Sequence, residues 1–294
     1  MSSFTQIPLC RKVTQTLIVA CKEDTQKLET ALEREALKSE VLRQVHQPQY
    51  QTYSRSYLCL LNHCEAWKRA SQVQGLTLVL EADFVPVKNM GMLPLPMNPD
   101  QADVGIAWLY TCAPQLYSVS AEGHAQGFST SMVAYLLTPA GAIALLEMAN
   151  HIHQSPGPCV YTSWDSEICD FLRKRQLKTF IPLRNYGEHG GRPNPEHQQH
   201  GLSVEHRADV LFGPLAFTPQ YAQPNSASVA DSPRSWLLTL GSQWRFLRTR
   251  LKARVKGLGR LLLGKFLRLK VARGSSVPTW LLWFAIRRQL SWRL

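Results

Sequence analysis

Acidic residues are missing from the last part of this chain. Between Arg234 and Leu294 the sequence has 15 lysines and arginines and no aspartate or glutamate. Residues 1–233 hold 18 basic and 21 acidic residues, a net charge of −3, so the overall charge of +12 comes from the tail. We therefore predict a nearly neutral domain over residues 1–232 and a basic segment over residues 233–294.

Cysteine pairs with CxxC spacing are also absent, and the seven cysteines are odd in number. This argues against a disulfide framework and favours reduced thiols. The N-terminus lacks a basic start followed by a long apolar run, and the apolar run 280–286 is far below the ~20 residues needed to span a bilayer. We expect a cytoplasmic protein without a secretory signal.

Two carboxylates follow a strongly apolar stretch. Residues 76–80 have the composition of a strand that is covered on both faces, and Glu81 and Asp83 come at its end. Open α/β sheets bind ligands at the carboxyl ends of their strands, and two oxygen donors there suit a hard divalent cation. The alternative is that these acids only solvate a turn or cap the next helix.

An ordered set of residues around these acids resembles glycosyltransferase family 25, the lipopolysaccharide and collagen sugar-transferase family. That family shows a Cys-x-x-Ser-His segment followed by Trp, a strand ending Glu-Asp-Asp, an aromatic-Tyr-Leu-x-x-x-x-Gly-Ala segment and a later Asp. The matching residues are Cys59, His63, Trp67, Glu81, Asp83, Tyr135, Gly141, Ala142 and Asp165. Asn62 stands where the family has Ser, and Ala82 replaces the middle Asp, which removes one potential metal or ribose contact. The order and spacing of these residues, over roughly residues 14–215, carry the resemblance.

The resemblance implies an α/β fold with one Rossmann-like nucleotide-diphospho-sugar transferase domain of the GT-A type. It implies transfer of a sugar from a nucleotide-diphosphate donor to a saccharide hydroxyl, with inversion, on an acceptor such as lipopolysaccharide or another glycolipid. Glu81 and Asp83 are the expected ligands of Mn²⁺ or Mg²⁺ and the expected contacts to the donor. His63 is a further candidate for donor binding, with a single buried hydrogen bond as its structural alternative.

An inverting transfer needs a carboxylate that takes the proton of the acceptor hydroxyl. Asp165, at the family's later Asp position, is the expected base, and Glu167 and Glu188 are its rivals. Asp165 also precedes an apolar helix, where capping is the common role of such a residue.

A loop dense in glycine, proline and histidine follows over residues 186–200. Its glycine pair, Gly190 and Gly191, would let backbone amides approach a phosphate, and Arg192 would bind the donor and neutralise the departing diphosphate. The spacing of the loop's histidines matches no compact zinc motif. We instead expect one of them, His189 above all, to complete the metal coordination begun by Asp83.

Hydrophobic periodicity predicts the elements that carry these residues. The expected elements are a strand over 14–20, a helix over 23–45, a loop over 46–56, a helix over 58–70, strands over 105–110 and 129–137, and a helix whose first turn holds Pro139.

The tail has the pattern of one long amphipathic helix, since apolar residues recur at steps of three or four from Leu237 to Leu269. We expect this helix to bind an anionic membrane surface through residues 234–294, at the inner face of a membrane. Its alternatives are packing on the protein's own core, docking of a partner enzyme, or RNA binding. Nucleic acid is disfavoured because the aromatics lie on the apolar face rather than among the charges. The basic face consists of Arg245, Arg248, Lys252, Arg254, Lys256, Arg260, Lys265, Arg268 and Lys270.

Two other classes of function remain open from the sequence. One is a non-catalytic scaffold with a degenerate transferase fold, in keeping with Ala82. The other is a metal-dependent phosphodiesterase or nuclease, for which the sequence offers no clear second ligand cluster.

Overall fold

The computed structural model describes residues 7–192, 205–223, 235–268 and 278–290. Within these ranges the chain has a mixed α/β fold with a helical C-terminal region. The strands are β1 (Val13–Ala20), β2 (Ser39–Arg43), β3 (Leu76–Glu81), β4 (Phe84–Pro86), β5 (Val104–Trp108), β6 (Gln115–Val119), β7 (Ala125–Phe128), β8 (Ala134–Leu137), β9 (Lys178–Ile181) and β10 (Gly187–His189). The helices are α1 (Leu9–Lys12), α2 (Gln26–Arg34), α3 (Arg55–Gln72), α4 (Pro139–Gln154), α5 (Ile168–Lys174), α6 (Ser235–Leu262) and α7 (Thr279–Gln289).

Eight of the strands form one sheet in the order β2-β1-β3-β8-β5-β9-β7-β6. β1 is parallel to both β2 and β3, and β5 is parallel to β9, whereas β8 and β7 run antiparallel to their neighbours. β4 and β10 pair separately as an antiparallel ribbon. Because β1, β2 and β3 are parallel, their carboxyl ends share one edge of the sheet, and the chain leaves β3 at that edge.

The central strands are buried on both faces, as their continuous apolar composition predicts. In β3, Val79 belongs to one core cluster, while Leu78 and Leu80 belong to the other. The first cluster is completed by side chains of α3, α4 and α5, and the second by side chains of α2. A charged side chain would not be tolerated inside such a strand, so the carboxylates come at its end.

The start of α4 explains the Gly-Ala part of the family pattern. The Thr138 hydroxyl caps the helix by accepting a hydrogen bond from the Gly141 amide at 3.1 Å, and Pro139 lies in the first turn as predicted. A Cβ atom on Gly141 would lie 2.1 Å from the carbonyl oxygen of Gly105 in β5. Glycine is needed here because the helix and the strand are in backbone contact.

The strands predicted over 14–20 and 105–110 and the helix over 58–70 are confirmed by β1, β5 and α3. The helix predicted over 23–45 is wrong in its second half. α2 ends at Arg34, Ala36 takes a positive φ of 58°, and β2 then pairs with β1 as a parallel edge strand. Pairing with the sheet overrides the helical propensity of this segment.

The other differences concern short strands. The strand predicted over 129–137 begins only at Ala134, and β6, β7 and β9 were not predicted. These strands have four or five residues each, which is too short for a clear period of two in the sequence.

The tail does not form a single helix through Leu269, so that prediction is wrong. α6 ends at Leu262 and closes with Gly264 at φ 66°, where the Gly264 amide donates to the Leu261 carbonyl and the Lys265 amide to the Arg260 carbonyl. This is a Schellman termination, which needs a left-handed residue. The chain then turns inward, and Leu267 forms a β-bridge with Leu116. Leu269 and Lys270 lie outside the described residues.

The described part of the tail shares the core of the preceding domain. Leu281, Phe284 and Ala285 of α7 belong to the first core cluster. Arg250 of α6 pairs with Glu188 of β10 at 2.5 Å, and both side chains are fully buried. No helix within the described ranges is long and apolar enough to cross a membrane.

Candidate active site

One end of the β4–β10 ribbon brings Asp83 and His189 together. Asp83 lies just before β4, and His189, the last residue of β10, is paired in register with Phe84. The Asp83 carboxylate is 2.9 Å from Nε2 of His189, and the Gly190 amide donates to the Asp83 carbonyl at 2.8 Å. Residues separated by more than 100 positions in the sequence thus meet at the carboxyl end of β3.

Glu81, Asp83 and His189 form a cluster whose potential ligand atoms all lie within 4.8 Å of one another. All three side chains are only partly buried, so the cluster is open to solvent. Oδ1 of Asp83 is itself buried and has no hydrogen-bond partner among the described residues. Two carboxylates, one imidazole and an unpaired carboxylate oxygen fit a divalent cation such as Mn²⁺ or Mg²⁺.

The charges of the cluster agree with this fit. Burial lowers the pKa of His189, but the Asp83 and Glu81 carboxylates outweigh burial and raise the pKa to about 9. Burial also raises the pKa of Asp83, but His189 and Arg207 outweigh it, so that the pKa is lowered overall. The proton on Nε2 of His189 therefore provides a positive charge where the carboxylates require one, and a bound cation would take over that role.

Gly190 and Gly191 allow the loop after β10 to approach Asp83 closely. A Cβ atom on Gly191 would lie 2.3 Å from Oδ2 of Asp83, and one on Gly190 would lie 2.7 Å from the Asp83 carbonyl oxygen. The glycine pair lets the loop close on Asp83, a reason that the sequence alone did not supply. Arg192, the next residue, is exposed.

Arg207 is a residue of the site that sequence reasoning missed. Its guanidinium donates to the carbonyls of His189 at 2.9 Å and Gly191 at 3.0 Å, and it lies 4.1 Å from the ring centre of Tyr221. Arg207 thereby fixes the backbone on both sides of Gly190 and adds positive charge near Asp83. No local motif surrounds Arg207, so its role becomes visible only in the fold.

His63, Trp67 and Tyr135, which match the family 25 pattern, form one hydrogen-bonded series that ends on Glu81. Trp67 Nε1 donates to the Tyr135 hydroxyl at 2.8 Å, and that hydroxyl lies 2.9 Å from Nδ1 of His63. Because Trp67 can only donate, the Tyr135 oxygen accepts at that contact, and its own proton is free to be donated to His63 Nδ1. His63 Nε2 then carries the hydrogen that it donates to Glu81 at 3.3 Å.

These hydrogen bonds give buried His63 a positioning role, because His63 holds one carboxylate oxygen of Glu81 in place. Cys59 also lies within 4.8 Å of His63 and Glu81. Because Glu81 belongs to both groups, Cys59 and His63 adjoin the cluster of Glu81, Asp83 and His189 rather than lying apart from it.

Asp165 lies next in sequence to Trp164, whose ring packs near His63. It sits in a short 3₁₀ turn, Trp164–Ser166, and the Trp164 ring is 5.5 Å from that of His63. Burial raises the pKa of Asp165 to about 7, with a further contribution from the negative charge of Glu81. A carboxylate with this pKa is suited to accept a proton near neutral pH. Asp165 is not an N-cap, since neither the turn nor α5 has a side-chain cap.

The two rival bases occupy different environments. Glu167 is exposed at the start of α5. Glu188 is fully buried, pairs with Arg250 at 2.5 Å, and accepts hydrogen bonds from the amides of Ala208 and His189. We correct the prediction for Glu188 accordingly, because a buried and fully engaged carboxylate has no access to an acceptor hydroxyl.

The raised pKa of Asp165 has a consequence for stability that can be measured without substrate. The folded protein holds this proton up to about pH 7, whereas the unfolded chain releases it near the ordinary value of 3.8. The free energy of unfolding should therefore fall as pH rises between these values, by up to about 1.4 kcal/mol per pH unit. Urea unfolding in the presence of EDTA should show wild type losing about 2 kcal/mol between pH 5 and 7 relative to Asp165→Asn. Parallel curves for the two proteins would show that the Asp165 pKa is not raised.

Three solved glycosyltransferase structures show weak similarity to this chain. One is a glycosyltransferase involved in the glycosylation of the major capsid of PBCV-1, at 7% identity and a TM-score of 0.35, with 57% of this chain and 81% of that chain covered. A second is Drosophila β1,4-galactosyltransferase 7 in complex with manganese, UDP-Gal and xylobiose, at 12% identity and a TM-score of 0.33, with 65% and 74% covered. A third is the catalytic domain of the same Drosophila enzyme with xylobiose, at 15% identity and a TM-score of 0.32, with 58% and 65% covered. Similarity at this level identifies neither the donor nor the acceptor of this chain.

No protein-family model and no curated protein sequence matches the chain.

Proposed function

We propose that this protein is a metal-dependent glycosyltransferase of the GT-A type that moves a sugar from a nucleotide-diphosphate donor to a saccharide hydroxyl. The observation that carries the proposal is the cluster of Glu81, Asp83 and His189 at the carboxyl end of β3, with an unpaired buried oxygen on Asp83. Trp67, Tyr135 and His63 of the family 25 pattern are hydrogen-bonded in series to Glu81 of this cluster, which supports a common function for them.

Glu81, Asp83 and His189 would hold Mn²⁺ or Mg²⁺. When bound there, the cation supplies positive charge that offsets the charge developing on the diphosphate leaving group. The protein's own part is to orient these ligands. The chain from Trp67 through His63 holds Glu81, and Arg207 holds the backbone on either side of Gly190. Exposed Arg192 is proposed to contact the departing diphosphate.

In the proposed transfer step, Asp165 takes the proton of the acceptor hydroxyl. The acceptor hydroxyl oxygen forms a bond to the anomeric carbon from the face opposite the leaving group, so the configuration inverts. The bond between the anomeric carbon and the diphosphate oxygen breaks, and its electron pair leaves with the nucleoside diphosphate. The hydroxyl proton passes to the Asp165 carboxylate, whose pKa of about 7 suits this transfer. Exposed Glu167 is the remaining alternative.

The acceptor is proposed to be a saccharide on lipopolysaccharide or another glycolipid, with an anionic membrane as the partner of residues 234–294 and the cytoplasmic face of that membrane as the location. The alternative is a non-catalytic scaffold, which Ala82 favours because the family has an acid there. However, Ala82 packs against the second core cluster, whereas Glu81 and Asp83 join the metal cluster. The replacement thus leaves the cluster's ligands in place.

The proposed function predicts release of nucleoside diphosphate from one member of a panel of nucleotide sugars. Full-length protein should hydrolyse that donor slowly with Mn²⁺, because water can replace the acceptor, and should lose this activity in EDTA. Release that is equal with and without metal would contradict metal dependence. The absence of both turnover and metal-dependent donor binding across the panel would favour the scaffold.

A further inference from the structure

α6 is docked on the protein by the side that carries Arg250 and Arg254. Arg250 and Arg254 are buried, and Arg250 pairs with Glu188 while Arg254 donates to the Gln289 carbonyl at 2.7 Å. In α7, Arg288 pairs with buried Asp209 at 2.6 Å. The side of α6 that faces the protein thus carries Arg254 of the predicted basic face together with Arg250, whereas Arg248, Lys252 and Lys256 of that face are exposed. Glu188 holds Arg250 inward and so fixes the rotation of α6 about its axis, while Asp209 holds Arg288 of α7.

The apolar stripe of α6 consequently faces solvent. Seven large apolar side chains on this helix are 40–86% exposed, whereas the core side chains of the domain are almost fully buried. A continuous exposed apolar surface on a folded protein marks an interaction site. The seven residues, which we call the outer stripe, are Leu240, Trp244, Leu247, Leu251, Val255, Leu258 and Leu262.

The spacing of the outer stripe distinguishes between possible occupants. Its steps are 4-3-4 from Leu240 to Leu251 and again 4-3-4 from Leu251 to Leu262, which is an 11-residue repeat. A left-handed coiled coil with a second copy of the chain needs a 7-residue repeat, whereas an 11-residue repeat is compatible with a right-handed one. Two copies packed along the stripe would, however, bring cations together without an acidic partner, because residues 234–294 contain no aspartate or glutamate. The nearly straight stripe instead fits a flat surface.

The charges beside the outer stripe indicate what that surface is. Arg248, Lys252 and Lys256 are exposed, and each lies one position after a stripe residue, so they form a row along one side of it. Lys252 also contacts exposed Glu205 at 3.1 Å. No acidic residue occurs anywhere in residues 234–294. An apolar stripe beside a row of cations is complementary to a bilayer with anionic headgroups.

We propose that the outer stripe is a preformed contact face for an anionic lipid bilayer, with α6 lying in the headgroup plane. This inference extends the proposed function by naming the surface on which a glycolipid acceptor would be presented, although vesicle binding does not itself depend on transfer. Because Arg250 and Arg288 are engaged within the protein, they do not contribute to membrane binding. Among the described residues of α6, the outer stripe and its row of cations form the proposed contact.

The test is sedimentation of the full-length protein with vesicles of phosphatidylcholine alone or mixed with phosphatidylserine. Wild type should bind the mixed vesicles, and more weakly at high salt. The triple variant Trp244→Gln, Leu251→Gln, Leu258→Gln should bind at least about a hundredfold more weakly, since three apolar side chains are lost. Arg248→Gln with Lys256→Gln should cost about fivefold for each charge.

A matched control separates the outer stripe from exposed apolar surface in general. Val45, Met92 and Val160 are 75%, 64% and 49% exposed and lie elsewhere on the molecule. Their triple replacement by Gln should leave vesicle binding unchanged, and both triple variants should keep the wild-type unfolding temperature and donor hydrolysis. Equal vesicle binding by wild type and the stripe variant would overturn the proposal. So would a concentration-dependent dimer that the stripe variant abolishes, because a second copy would then cover the stripe. Neither result depends on whether the protein hydrolyses a donor.

Discussion

Replacing Asp83 by Ala should reduce metal-dependent release of nucleoside diphosphate by at least about 100-fold. Asp83 is the centre of the cluster, since it pairs with His189 at 2.9 Å and carries the unpaired oxygen Oδ1. Its removal would leave one carboxylate to hold the cation, and stabilisation of developing charge by a single placed group is commonly worth a factor of 10² to 10³. The measurement is the initial rate of diphosphate release from the preferred donor at saturating Mn²⁺, together with Mn²⁺ affinity from calorimetry.

Asp100→Ala provides a matched control for this experiment. Asp100 is an exposed carboxylate that pairs only with Lys12 at the surface, at 3.2 Å, so its removal should leave the rate within about twofold. Arg207 would lose a nearby negative charge in the Asp83 variant, and the unfolding temperature should therefore be recorded for both proteins. A folded Asp83→Ala protein with an unchanged rate would place the metal elsewhere and remove the basis of the proposed site.

Replacing Arg250 by Met should lower the free energy of unfolding by about 3–5 kcal/mol. Arg250 and Glu188 are both fully buried, and removal of one partner leaves an uncompensated charge inside the protein. The effect should also reach the site, because Glu188 precedes His189 and accepts the hydrogen bond of its amide at 3.0 Å. Urea unfolding at neutral pH measures the loss.

Two further variants interpret that result. Lys252→Met removes an exposed pair with Glu205 from the same helix and should change stability by less than about 1 kcal/mol. Adding Glu188→Gln to Arg250→Met removes the unpaired charge and should restore part of the loss, since the amide oxygen can still accept the hydrogen bonds from Ala208 and His189. If Arg250→Met behaved like Lys252→Met, the division near Ser232 into a domain and a separable tail would be supported.

By the same reasoning, we expect a chain ending at Ser232 not to fold stably, since it would also lack Leu281 and Phe284 of the core.

Several features of the site could be predicted from the sequence. The run before Glu81 is apolar at every position because β3 is covered on both faces, so the carboxylates had to come at its end. Asp165 and His189 were selected as candidates from the family pattern and from the composition of their loop. The structure brings His189 to Asp83 and places Asp165 where Glu81 affects its pKa.

Other features depended on contacts between distant segments. Arg207 stands in a segment without a motif, and its role follows only from its bonds to the carbonyls of His189 and Gly191. Glu188 looked like an accessible acid beside a glycine-rich loop, but pairing with Arg250 from the tail buries it. The helix predicted over residues 23–45 failed for the same kind of reason, because β2 forms by pairing with β1 rather than from local preference.

The sequence by itself determined the parts that local pattern controls: the buried strand that ends in Glu81 and Asp83, the capped start of α4, and the amphipathic character of α6. Tertiary structure alone decided which side of α6 faces the protein. Periodicity places apolar and basic residues on different sides of a helix, but it does not contain the position of Glu188. This buried acid comes from a distant part of the chain, and because an unpaired charge in the core is costly, it binds Arg250 and leaves the apolar stripe outside.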